Sequence, residues 1–138
     1  MVSKTVSRRK GRRLAVQALY SWDVGKIPAA VLVQFSWIDP SEHDDLSFPR
    51  LLVEGTLQEL DAVDDLISRQ LEHWDIDRLA RVDLAILRIG VYSLRFQPDI
   101  PAQVTIDEAV ELAKEMSTDE AFRFVNGVLD GVRKHLSQ

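Results

Sequence analysis

Apolar residues recur at three- and four-residue spacing along nearly the whole chain, and no alternating run bounded by hairpin turns interrupts them. That periodicity predicts an all-α fold. The first helix is expected over 8–22, with Ala15, Ala18, Leu19 and Trp22 facing the core. Arg9, Arg13, Val16 and Tyr20 fall on a neighbouring stripe. Gly11 weakens the first turns, which are expected to fray when unbound. Gly25 and Pro28 close this helix and open a short one over 29–37. A polar loop over 39–47 contains Pro40, and Pro49 suits the first turn of a long helix over 49–73. Leu60, Val63, Ile67, Leu71 and Trp74 form its apolar stripe.

The stretch 78–96 is apolar almost all round, from Leu84 through Leu94, and such a helix belongs at the buried centre of a domain. Asp77 is placed to cap a short piece, and Asp83 to cap or begin the next. After Pro98 and Pro101, Thr105 with Glu108 reads as a capping box opening a helix to 116, and Ser117 with Glu120 as another opening a helix to 136. Ala121, Val125, Val128, Leu129, Val132 and Leu136 give the last helix its core stripe, and Gly127 with Gly131 suits close helix packing. The sum is one domain over 1–138, a compact bundle of six or seven helices.

Composition narrows the chemistry. With 138 residues, of which 46% are hydrophobic, the chain can bury a core and is too short for a multidomain enzyme. There is no cysteine, hence no disulfide or thiol nucleophile. No apolar run reaches about 18 residues, so no membrane span is expected. The basic N-terminus lacks the apolar segment of a secretory signal, consistent with a cytoplasmic protein. His43, His73 and His135 show no zinc spacing, and there is no phosphate loop or nucleophile elbow. Asp61, Asp64 and Asp65 read as a solvated helix face. Neither a metal, a cofactor nor a catalytic site is expected.

Charge is the more telling feature. Residues 1–13 hold Lys4, Arg8, Arg9, Lys10, Arg12 and Arg13 with no acid, which leaves eleven bases against twenty-two acids in the rest. A basic arm on an acidic body anchors phosphates, or else solubilises the chain and neutralises its own acidic surface. Residues 1–8 are expected to be a flexible part of that arm.

Four stretches carry a resemblance. They are RRKGRRLAVQALYSW at 8–22, DLAILRIGVY at 83–92, VTIDEAVELAK at 104–114 behind Ile100-Pro101, and FVNGVLD at 124–130. In this order and over this length the chain resembles the NusB family of bacterial transcription antitermination factors; residues 23–50 match poorly. The resemblance implies two packed helical subdomains and no catalytic step. It also implies pairing with the ribosomal protein NusE, and binding of the pair to boxA in nascent ribosomal RNA. Through other Nus factors the pair would join an RNA polymerase elongation complex that resists termination.

By the same resemblance Arg8, Arg9, Arg12, Arg13, Tyr20, Glu120 and Phe124 match positions on or near the RNA face, and Asp83 and Tyr20 match positions near the partner. Single-stranded RNA is held by phosphate neutralisation and by stacking on flat side chains. The arginines suit the first role, and Tyr20 and Phe124 the second. Phe124 also reads as a peripheral core residue, Glu120 as a helix cap, Asp83 as an N-cap, and Asn126 as a structural hydrogen-bond donor. About four phosphate contacts would give a log–log salt slope near −3. Two alternatives stay open: a helical protein-interaction module without specific RNA binding, and self-association into a homodimer.

Overall fold

The computed structural model describes residues 5–39, 45–72 and 75–138. Lys4, Pro40, His43, His73 and Trp74 lie outside them. The described residues form seven α-helices: α1 Arg8–Gly25, α2 Ala29–Leu32, α3 Ser47–Gln58, α4 Leu60–Ser68, α5 Arg81–Phe96, α6 Ala102–Met116 and α7 Ala121–Leu136. A 3-10 turn, Ile76–Arg78, precedes α5.

The fold is arranged around α5. Every residue from Asp83 to Ser93 is buried, as expected of a helix without a polar face. It packs against α1, α3 and α4 from the N-terminal half of the chain and α6 and α7 from the C-terminal half. The two halves share one continuous apolar core, with Leu19, Leu52, Ile67, Leu84, Leu87, Ile106 and Leu129 among its enclosed side chains. Two polar ties reach α5. Arg88 donates two hydrogen bonds to Asp64, both at 2.9 Å. Asp83 accepts one from the Ser117 hydroxyl at 2.6 Å.

Several local expectations change. The long helix over 49–73 is two helices, broken at Glu59, whose φ of −104° and ψ of 22° leave the helical region. Helix α2 stops at Leu32 rather than at 37, and Phe35 beyond it takes a positive φ of 52° while buried. Neither capping box forms. Thr105 is buried inside α6, which begins behind Pro101, and Glu108 is taken by Arg9. Ser117 spends its hydroxyl on Asp83, and α7 starts only at Ala121. Asp75, not Asp77, caps the 3-10 turn by accepting from the Asp77 backbone N–H, and of the two roles expected of Asp83 it takes the second, beginning α5 within its first turn. Asp64 and Asp65 are ion-paired with Arg88 and Arg69.

Glycines separate into tight and open positions. Gly131 faces Gln70 closely, whereas Gly127 meets nothing within 4 Å of where a Cβ would stand. The expected close packing therefore holds at one of the two positions. Gly127→Ala should raise stability by about 0.5–1 kcal/mol through helix propensity alone, read as a shift in the urea midpoint. Loss of stability there would mean that α7 packs against something at position 127.

Candidate nucleic-acid interface

The basic end of α1 is fixed by its neighbours rather than left free. Val6 is buried, Thr5 bridges Asp45, and Ser7 caps α1 by accepting from the Lys10 N–H. Residues 5–7 thus make contacts with the start of α3 and with α1 itself. Asp45 in turn accepts from the Ser47 hydroxyl at 2.7 Å and the Ser47 N–H at 3.1 Å, which ties the starts of α1 and α3 together. Those Ser47 hydrogen bonds hold the Asp45 carboxyl below its ordinary range. A carboxylate depressed in the folded state adds stability above the unfolded value and loses it as pH falls through the folded one. This latch is therefore complete at neutral pH and opens in acid.

Gly11 has a packing reason. A Cβ there would come 2.7 Å from Phe48 Cδ2, so the glycine lets α3 approach α1 instead of marking a frayed turn. Phe48 then serves as a platform for two arginines. The Arg8 guanidinium lies 4.1 Å from the ring centroid and Arg12 5.5 Å, both within cation–π range. Their fates differ. Arg8 is exposed, but Arg12 is only 7% exposed, wedged where α1, α5 and α6 meet. Burial lowers the Arg12 pKa from its ordinary value, and its side chain lies beneath the surface on which Arg8 is exposed.

Arg9 and Arg13 line the seam between α1 and α6. Arg9 donates to both carboxylate oxygens of Glu108, at 3.1 and 3.2 Å. Arg13 meets Glu115 at 2.7 Å. One turn further, the seam opens into a groove of about 640 Å³ lined by Gln17, Tyr20, Trp37, Arg81, Val82 and Met116. Tyr20 is 42% exposed there. Arg81 is held across the groove's end by Asp23 at 2.7 Å.

On the other side of the first turn of α5 lies a hollow of about 360 Å³. Arg78, Asp83, Thr118, Glu120 and Phe124 line it. Phe124 is 37% exposed, so it is not a core residue, and Glu120 is exposed and pairs with Arg123 at 3.6 Å. Asp83 is 9% exposed with one oxygen engaged by Ser117. Asn126 is exposed on α7, and no hydrogen bond to a neighbouring helix is formed by it among the described residues.

Seam, groove and hollow adjoin. Arg9 and Arg13 lie in the seam, Tyr20 in the groove, and Asp83, Glu120 and Phe124 in the hollow, while Arg8 lies over Phe48 and Arg12 is buried. Trp37, Arg78 and Arg81 were not foreseen. The exposed Trp37 follows a helix too short to show periodicity, and its ring is placed by a hydrogen bond from Nε1 to the Leu32 carbonyl.

Comparison with known proteins identifies a family. Residues 9–134 match the NusB family. The chain is 51% identical over 132 residues to the transcription antitermination protein NusB of Treponema pallidum, covering 94% of each chain. It is 39% identical to that of Bacillus subtilis, covering 96% of this chain and 99% of the other. The solved structure of T. maritima NusB superposes with a TM-score of 0.85 at 36% identity, over 94% of this chain and 92% of that one. NusB from a complex with NusE and double-stranded RNA superposes with a TM-score of 0.81 at 29% identity, over 93% and 96%.

Proposed function

The chain belongs to the NusB family, and on that footing we propose that it is a transcription antitermination factor that binds boxA of nascent ribosomal RNA together with NusE. Its role is assembly rather than catalysis. It works in the cytoplasm, as one part of an RNA polymerase elongation complex built with other Nus factors. One observation supports the siting of RNA above others: exposed arginines at the start of α1 are accompanied by exposed aromatic rings, Tyr20 in the groove and Phe124 in the hollow, beside the first turn of α5.

Each of these groups has a physical task. Arg8, Arg9 and Arg13 meet phosphates, while Tyr20 and Phe124 offer faces on which unstacked bases lie. Arg12 acts from beneath, holding Phe48 and the α1–α3 packing. Three phosphate contacts instead of four reduce the expected salt slope to about −2, or roughly twentyfold in affinity between 50 and 200 mM salt. NusE sits against the Tyr20 groove and the start of α5. The free Asp83 oxygen is the group there that a basic partner residue would meet.

Fluorescence anisotropy of labelled single-stranded boxA RNA tests the assignment, against a scrambled strand and a duplex of equal composition, with and without NusE. Tighter boxA binding that NusE strengthens is expected, and Phe124→Ala should weaken it about tenfold or more by removing one stacking face. Equal, weak binding to all three RNAs, unchanged by NusE, would leave a helical protein-interaction module as the better account. Asp83→Asn keeps the Ser117 hydrogen bond and removes the charge. It should weaken NusE binding while leaving binding of RNA to the chain alone unchanged.

A further inference from the structure

Two of the three arginines assigned to phosphates, Arg9 and Arg13, are already paired with carboxylates. Arg9 is 62% exposed, yet its Nε–H and Nη2–H both go to Glu108, which is itself only 19% exposed. Arg13 is held by Glu115 seven residues further along the same face of α6. Glu111 stands between the two and adds its field to Arg9. A phosphate recognises an arginine through the same fork of N–H donors that a carboxylate takes. The seam thus carries two matched pairs of charges where an RNA site would be expected to show bare positive charge.

We propose that Glu108 and Glu115 compete with RNA phosphate for Arg9 and Arg13, and so set the affinity threshold of the RNA face. This rests on the assignment of Arg9 and Arg13 to that face. RNA that engages the seam through phosphates alone must displace both carboxylates and leave them close to its own backbone. RNA that also stacks on Tyr20 and Phe124, with NusE in place, has other contacts to offset that cost. The acids lower affinity for every RNA by a similar factor. The poorer ligands thereby fall below useful occupancy while boxA does not. Without them, an exposed basic helix end would hold any transcript.

The test is anisotropy with boxA and scrambled strands on E108Q, E115Q and the double variant at 50 mM salt, with folding checked by circular dichroism. Each single substitution should tighten both RNAs about fivefold, and the double about twentyfold, with the gain shrinking as salt screens the seam. E54Q changes net charge equally but lies on α3, which supplies neither wall of the seam. It should leave both affinities within about twofold. Unchanged affinity in the seam variants would overturn the proposal, as would an equal gain in E54Q. Weaker boxA binding would also overturn it, because the glutamates would then be orienting the arginines for phosphate. R9Q and R13Q in the same assay separate the two levels. If they leave boxA binding intact, the siting of RNA fails. If they weaken it and the glutamate variants do not tighten it, only the competition fails.

Discussion

Reversing Arg9 and Arg13 together to Glu should lower boxA affinity by at least about 100-fold while the chain stays folded. Two charge-assisted phosphate contacts at about 1.5 kcal/mol each already amount to that factor, before repulsion is counted. The folded state loses less. Both arginines are surface-exposed in part, and exposed ion pairs of this kind contribute little to stability. Acidic groups near the start of α1 also suit the helix dipole, which offsets some of the loss. Anisotropy reads the first effect and thermal melting by circular dichroism the second. A variant that melts many degrees lower would show instead that these arginines clamp α1 to α6.

Gly55→Ala is the largest stability effect expected from so small a change. A Cβ at that position would overlap the hydroxyl and ring of Tyr92. The ring has little room to yield, since Tyr92 is buried and stacks on Phe96 with centroids 5.5 Å apart. Overpacking should outweigh the helix propensity gained and cost about 2 kcal/mol net, roughly 6–8 °C in Tm. Retained stability with an altered near-ultraviolet tyrosine signal would mean that the ring swings out at little cost.

Long elements were legible in the sequence because their signal is repeated. The stripes of α1 and α7 each offer many residues that agree on one face, and the run of α5 many that are apolar almost all round. Single residues fared worse, since one tertiary contact outweighs a local preference. Thr105–Glu108 and Ser117–Glu120 fit the capping pattern, but Arg9 and Asp83 claim two of the four side chains. The break at Glu59 carries no proline or glycine to mark it. Within the candidate site, Arg12 could have been placed correctly. Extending the Ala15 and Leu19 stripe back by one turn reaches Arg12 and Gly11, the two positions that pack inward. The groove around Trp37 could not, because it depends on side chains from α1, α5, α6 and the segment after α2 converging in space.

A helix enclosed on every side has a further consequence. Because α5 supplies packing surface to helices of both halves, neither half keeps its core once the other leaves. Opening should therefore be all-or-none, with fluorescence and circular dichroism transitions that coincide. The amides of Leu84–Val91 should be the last to exchange with deuterium, at rates set by global unfolding rather than by local fluctuation.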